Sequence, residues 1–497
     1  MTLNPEAPPH FALPDPSLQF LKSDDRLFYY RNLYAFSHWL EQAVGPYRPD
    51  SQRPVLIFTA PGDSQIFTLA ACWLLQIPFV SLSPEMTAPE LESALSRLQP
   101  AIAITDSENR SRIQNIPNLI IPADRLQLES DSDRSRFSHG HSEKLMGYFL
   151  TSGSTGQPKI VPLKRRQILY ATRASSENFR PDPDHYWLLC LPLNHTGGAT
   201  IVIRCLLYHA CIYRMDRFDP DQIVRYLSED RRFQVASMVP TMLRRLLEIR
   251  QFRVHLGFQA ILLGGAALSQ QMIQEAEVRG IPVVASYGMT ETCGQIAANA
   301  FLKPSGIYHP KKSVGRIFPP NEAEIRDDDG SPLPANESGM LWLRGPQVFD
   351  GYLNEADNKG SFDDAGWFRT GDHGYLNRND QLFIETRRSD LIVTGGENVN
   401  PFEVESALEE LDEVRETVVI GLSDPEWGQA VTAFVISSGV GQPEEEVLRE
   451  KLRKKLSPYK IPKRIIVVDD FPRTESGKIN RRQLKLIYEQ SRERPQP

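Results

Sequence analysis

The stretch YFLTSGSTGQPKIVPL, residues 148–163, sets hydroxyl side chains, glycines and one lysine behind a short apolar run. The hydroxyls of Thr151, Ser152, Ser154 and Thr155 can donate several hydrogen bonds to phosphate oxygens, and Gly153 and Gly156 permit the unusual φ such a loop needs. Lys159 adds a point charge for the same anion. The spacing does not fit G-x-x-x-x-G-K-[ST], so this is not a Walker loop. By residue type alone it is either a phosphate grip or a Ser/Gly turn. The apolar lead and the trailing PKIVPL favour the grip.

Working outward, short apolar runs alternate with helical patterns. RPVLIFTA (53–60), PFVSLSP (78–84) and AIAITD (101–106) read as strands, with ELESALSRLQ (90–99) as a helix between the last two. The rhythm recurs over 219–248, where Asp219 or Asp221 can cap a helix, and again in QAILLGGAAL (259–268) and IPVVASYGMTET (281–292). Glycines just past strand ends are where an open α/β sheet places its ligand crevice. The polar stretch LESDSDRSRFSHGHSEK (128–144) reads as a surface loop. After about residue 320, turn signals such as Asp329-Gly330 predict an antiparallel module. A smaller unit follows, ending in the basic helix KINRRQLKLIYEQSRER (478–494). The expectation is an α/β protein. A large N-terminal domain, residues 1–386, would combine mixed sheets and helices with a small antiparallel β module. A small, mobile α+β domain, residues 387–497, would follow a hinge near 386–389.

Composition narrows the function classes. A chain of 497 residues is too long for one compact core. A net charge of −7 argues against a nucleic-acid binder, which normally carries a basic surplus. Cys72, Cys190, Cys205, Cys211 and Cys293 are dispersed without metal-ligand spacing, as expected of reduced thiols in the cytoplasm. The start MTLNPEAPPHFALPDP lacks a signal-peptide pattern, and IFTLAACWLLQIPFV (66–80), interrupted by Gln76 and Pro78, reads as a buried helix running into a strand rather than a membrane span.

Three further segments carry chemistry-bearing residues. In SYGMTET (286–292) a Tyr-Gly turn can present an aromatic face to a purine, and Thr290 and Glu291 can meet a phosphate and its magnesium; the alternative is a solvated carboxylate at a strand end. GWFRTGD (366–372) places Asp372 after a glycine, suited to ribose hydroxyls or an ordinary turn residue. PRTESGKINR (472–481) presents Lys478 in a loop, where a lone lysine is ordinarily surface decoration. Each is weak alone. In this order, T-S-G-S-T-G-x-P-K, Y-G-M-T-E-T, G-W-F-R-T-G-D and P-R-T-x-S-G-K-I resemble the adenylate-forming superfamily of acyl-CoA synthetases, peptide-synthetase adenylation domains and luciferases. The resemblance runs from about residue 50 to the last twenty residues.

That resemblance implies the following roles. Residues 151–159, namely Thr151, Ser152, Gly153, Ser154, Thr155, Gly156 and Lys159, hold the β- and γ-phosphates of ATP. Gly265, Ala266, Tyr287 and Gly288 line the adenine. Thr290 touches the α-phosphate, Glu291 holds Mg2+, and Asp372 takes the ribose hydroxyls with help from Arg387. Lys478 is the catalytic lysine of adenylation. A domain rotation then brings Gly395, Gly396 and Glu397 to the tunnel of the incoming thiol. The hinge position, commonly Asp or Lys in the family, is Ser389 here. No carrier domain is expected within the chain, so free CoA is the expected acceptor.

The acid is addressed by CLPLNHTGGATIVIRCLLYHACIYR (190–214). In the family His195 stands at the acyl pocket as a gate, and Gly197 and Gly198 start the helix that walls it. Arg204 interrupts an apolar helical run, and a buried charge without a partner is costly. It is therefore on a solvent face, paired with a structural carboxylate, or a ligand of the substrate. The region resembles o-succinylbenzoate–CoA ligases of menaquinone and phylloquinone biosynthesis, which carry a basic residue here against the second carboxylate of an aromatic dicarboxylic acid. Gly264 and Ser286 would complete that pocket. The competing expectations are a ligase for another aryl or fatty acid, and an inactive homologue acting as a binding protein.

Overall fold

The computed structural model describes residues 11–493 except 130–133, 135–136, 141, 152–157, 177, 179, 266–269, 300–312, 388–391, 395–396, 425–426, 441–443 and 475–476. Two sheets of the α/β kind dominate the first three hundred residues. One has six strands in the order Asn118–Ile120, Ile102–Thr105, Val55–Phe58, Phe79–Ser81, Leu145–Thr151 and Lys159–Lys164, parallel except for the last pair. That antiparallel pair is the hairpin whose connection is the quoted loop. The other sheet has nine strands. Its parallel centre is flanked by the antiparallel pairs Val283–Met289 with Gly294–Ala298 and Gln19–Lys22 with Leu27–Tyr29.

Two helices lie between these sheets, and their sequences explain it. Asp63–Leu75 buries eleven of its thirteen residues and Thr196–Tyr208 twelve of its thirteen. A helix apolar all round has no solvent face and must be covered on every side. The expectation of Arg204 on a solvent face is thereby overturned, since it lies on the second helix and is 2% exposed.

The expected antiparallel module is a four-stranded sheet, Glu322–Arg326, Gly339–Arg344, Phe368–Leu376 and Leu382–Arg387. The C-terminal sheet pairs Val414–Asp424 with Gly428–Ser437 and carries Ile392–Thr394, Glu397–Val399 and Arg464–Val467, covered by helices Pro401–Glu409, Glu445–Arg453 and Arg481–Glu493. Asp219 is the N-cap residue of Pro220–Glu229, accepting from the backbone of Gln222. Among the described residues no helix is long and apolar enough to cross a membrane.

The polar stretch 128–144 is a surface loop as expected, exposed at Glu129, Arg134, Glu143 and Lys144, but it turns two residues, Phe137 and His139, inward. His139 is buried and accepts from the Trp73 indole at 2.9 Å. Arg165 reaches under the segment, donating to the carbonyls of Trp73 at 2.7 Å, Ser138 at 2.9 Å and Gly140 at 3.0 Å, with its guanidinium 3.6 Å from the centre of a Trp73 ring. Burial pulls Arg165 down to about 9, so it remains charged at neutral pH. Beneath its exposed side the segment satisfies a buried cation with its carbonyls. Arg165→Met should leave the Ser138 and Gly140 carbonyls without a donor, since that of Trp73 keeps the Gln76 amide, and cost about 2 kcal/mol of stability, read as a lower midpoint in urea unfolding. A midpoint equal to wild type would mean water replaces the guanidinium.

Candidate active site

The strand Val283–Met289 delivers the central residues. It ends in a single turn, Thr290–Thr292, closed by the Thr292 hydroxyl, which accepts from the Met289 amide at 3.0 Å and reaches the Gly294 carbonyl at 2.8 Å. Thr290 and Glu291 are thus fixed at a strand end. Tyr287-Gly288 is not the expected turn, because both residues lie within the strand. The glycine is needed for another reason: a Cβ at 288 would lie 1.9 Å from the Gly294 carbonyl oxygen of the neighbouring strand.

At the phosphate end, Glu291 is 9% exposed, and its Oε1 accepts the Tyr352 hydroxyl at 2.8 Å. Lys159, paired with Thr151 across the hairpin, holds its ammonium 4.2 Å from the centre of the Tyr352 ring and 3.5 Å from the Asp357 carbonyl. One aromatic side chain therefore touches both the candidate phosphate lysine and the candidate magnesium carboxylate. Sequence reasoning missed Tyr352, which stands 61 residues beyond Glu291. Among the described residues no cluster of three or more His, Cys, Asp or Glu could hold a metal by protein ligands alone. A lone buried carboxylate beside a phosphate-binding lysine suits Mg2+, which keeps most of its coordination for phosphate oxygens and water. The residues present fit that ion. Bound there, it would neutralise phosphate charge.

At the nucleoside end, the Tyr287 hydroxyl donates to Asp372 Oδ2 at 2.6 Å, and Asp372 is 3% exposed. Gly371, with φ +80, turns the strand Phe368–Leu376 so that the Asp372 amide meets the Thr370 hydroxyl at 3.0 Å. Asp372 is in register with Arg387 on the neighbouring strand. Only the backbone of Arg387 is described.

The acyl end gathers residues from four elements. His195 precedes the helix Thr196–Tyr208. Gly264 abuts Ser286, whose hydroxyl donates to the Leu263 carbonyl at 2.7 Å. Lys478 arrives from the C-terminal domain on a tight turn, with the Thr474 amide 2.7 Å from the Lys478 carbonyl and the Gly477 carbonyl accepting from Thr241 of the large domain at 3.0 Å. The lysine stem crosses Gly265, where φ is +83 and a Cβ would meet the stem at 2.8 Å. Burial, with the Lys478 ammonium as a second cause, pulls His195 down to about 4. The imidazole is neutral at physiological pH.

Arg204 lies deeper on the same helix. One terminal nitrogen faces Gln295 Oε1 at 3.5 Å, while its Nε and other terminal nitrogen are buried without a hydrogen-bond partner among the described residues. No carboxylate pairs with it there, so the expected alternative of a structural ion pair is also set aside. Burial lowers its pKa. Of the other candidates, Ser152, Gly153, Ser154, Thr155, Gly156, Ala266, Gly395, Gly396 and the hinge residue Ser389 lie outside the described residues, and Glu397 is described only in its backbone.

Comparison with known proteins agrees with this geometry. The chain matches the AMP-binding enzyme family over residues 29–353 and the AMP-binding enzyme C-terminal domain over 403–478. It is 32% identical to the 2-succinylbenzoate–CoA ligase of Enterococcus faecalis over 480 residues, 95% of this chain and 94% of that one. It is 38% identical to that of Listeria monocytogenes over 336 residues, 67% of this chain and 68% of that one. Among solved structures, o-succinylbenzoate CoA synthetase from Bacillus subtilis with the acyl-adenylate OSB-AMP superposes with a TM-score of 0.82 at 30% identity, covering 95% of this chain and 96% of that one. ATP-bound MatB from Rhodopseudomonas palustris gives 0.87 at 26% identity, covering 96% and 97%. A separate Bacillus subtilis structure holds ATP and magnesium. With its hairpin lysine, its Thr-Glu turn and its inserted Lys478, this chain belongs to the AMP-binding, adenylate-forming enzyme family.

Proposed function

We propose that this protein is an ATP-dependent, AMP-forming 2-succinylbenzoate–CoA ligase. Arg204 carries the choice of acid: a buried guanidinium with two nitrogens unpartnered among the described residues calls for an anion. Relatives along nearly the whole chain bear that name.

In the first half-reaction an oxygen of the substrate carboxylate attacks the α-phosphorus of ATP, and the bond from that phosphorus to the bridging oxygen of pyrophosphate breaks. Negative charge grows on the α-phosphoryl and leaving oxygens. Lys478 supplies the cation at the α-phosphoryl group, Lys159 and residues 151–156 hold the leaving pyrophosphate, and Glu291 holds Mg2+. Asp372, braced by Tyr287, takes the ribose. His195 is neutral, so it borders the carboxylate without forming an ion pair that would weaken the nucleophile. In the second half-reaction the thiol sulfur of CoA attacks the acyl carbon, the carbon–oxygen bond to phosphate breaks, and AMP leaves as the thioester forms. Gly395, Gly396 and Glu397 would edge the thiol path after the C-terminal domain turns at Ser389. A ligase for an aromatic or fatty monoacid is disfavoured, because it would leave Arg204 buried and unmatched.

Three outcomes test the assignment. In ATP–pyrophosphate exchange against a panel of acids, wild type should prefer 2-succinylbenzoate. Arg204→Ala should raise its KM on the order of 30-fold, from about 2 kcal/mol for a hydrogen bond to a charged group, and spare the KM of ATP. An unchanged acid KM removes Arg204 from the site. Lys478→Ala should slow adenylation by roughly 10²- to 10³-fold while thioester formation from preformed acyl-adenylate survives; equal losses in both halves would refute the division of labour. Finally, NMR titration of His195 should give a midpoint near 4 rather than 6.5. Because the folded value lies below the unfolded one, the unfolded chain binds more protons between those values. Stability should therefore fall as pH drops through that window, and His195→Gln should abolish that component. A midpoint near 6.5 would contradict the neutral gate.

A further inference from the structure

Beside Arg204 lies a second buried polar side chain that no site motif includes. Gln295, on the strand Gly294–Ala298, is 6% exposed. A guanidinium only donates, so the atom of Gln295 that faces Arg204 at 3.5 Å must be the amide oxygen. The amide nitrogen then points elsewhere, and it has no partner among the described residues.

Two hydroxyls on this helix are committed. Thr200 donates to the Thr196 carbonyl at 2.6 Å, and Tyr208 donates to the Thr172 carbonyl at 2.6 Å and lies 2.9 Å from the Ser175 hydroxyl. The backbone at Gln295 is also pinned, since the buried Gln347 amide donates to the carbonyls of Thr292 and Gln295. The residue in register across the strand pair is Gly288, which brings no side chain. What remains unmatched between Arg204 and Gln295 is three nitrogens, two guanidinium and one amide, all donors. A water would satisfy only some of them, whereas a carboxylate offers two oxygens and about four lone-pair sites.

We propose that Gln295 is a specificity-determining residue of this ligase, its amide N–H sharing with Arg204 the carboxylate of the acid that does not react. The inference rests on the proposed reading that the acid is dicarboxylic. A neutral tail would strand all three donors in a dry recess, which is how a site built for a polar group rejects an analogue lacking it.

Gln295→Glu separates this role from mere structural support of Arg204. The new carboxylate would pair with Arg204 and satisfy the fold at least as well as the amide does, but it would repel the substrate's own carboxylate. Expected are an unaltered or raised melting temperature, a KM for 2-succinylbenzoate raised at least 100-fold, and an unchanged KM for ATP. The preference in kcat/KM for 2-succinylbenzoate over the better of 4-oxo-4-phenylbutanoate and 2-butanoylbenzoate, each lacking one carboxylate, should fall by a similar factor. Gln295→Leu, which keeps the volume and removes the donor, should raise the KM of the dicarboxylate roughly tenfold. It serves as the test if the glutamate variant does not fold. If wild type uses 2-succinylbenzoate and neither variant shifts its KM by more than twofold, or if acid and ATP constants shift together, Gln295 is only a structural partner and the inference falls alone. If wild type does not adenylate 2-succinylbenzoate at all, the proposed function fails and takes this inference with it.

Discussion

The stem of Lys478 lies across Gly265 with no room for a methyl group between them. On that contact the completeness of the site depends, because the lysine belongs to one domain and everything it faces belongs to the other. The turn that carries it is held by polar contacts. Thr241 bonds the Gly477 carbonyl, and Arg244 of the same large-domain helix meets Glu409 at 3.2 Å and the Arg415 carbonyl. Within its own domain the segment is tied down harder: Arg481 pairs with the buried Glu405 at 2.6 Å and bonds the Val419 carbonyl at 2.8 Å. A turn that is firm in its own domain and lightly hydrogen-bonded across the interface suits a lysine that must be placed accurately for one step and withdrawn for the next.

The chemistry around the lysine is arranged by charge. Glu291 and Lys159 sit near each other with Tyr352 between them, bonding one through its hydroxyl and receiving the other on its ring. The ring face attracts the ammonium without supplying a counter-charge, an arrangement that suits the phosphate contact proposed for Lys159. Asp372 receives the Tyr287 hydroxyl, which fixes the orientation of a carboxylate that would otherwise rotate. His195 is kept neutral at the acyl mouth by burial and by Lys478. A second cation there would compete for the substrate carboxylate that has to attack.

Much of this was legible in the sequence, and the reason is local. A glycine-rich hairpin, a Thr-Glu turn and a loop lysine are short segments whose chemistry travels with their neighbours, so their motifs name the family. Tyr352 and Gln295 were not legible because their roles arise by pairing across 61 and 91 residues. A trace existed for Gln295, since a polar residue in the apolar run GQIAA has the same logic as Arg204 in ATIVIRCLLY. Where local reading fell short, tertiary packing supplied the rest. Gly288 serves a close strand crossing rather than a turn, and the polar surface stretch 128–144 also supplies carbonyls to the buried Arg165.

Arg204 brings these threads together. Sealing a guanidinium between two sheets without a full set of acceptors weakens a fold, and replacing it with an apolar residue of similar volume would ordinarily be neutral or stabilising. On the proposed function the cost is borne by the unliganded protein and would be relieved when the remote carboxylate enters. The matched acid would gain affinity on that account, because the guanidinium is desolvated on folding and need not be stripped of water on binding. Discrimination is large, because an acid without the remote carboxylate leaves the same donors unmet and adds nothing in return. Such a site would hold the diacid and disfavour monoacids through the same interaction, which is what an enzyme needs when it must choose one acid among many that share a reacting carboxylate.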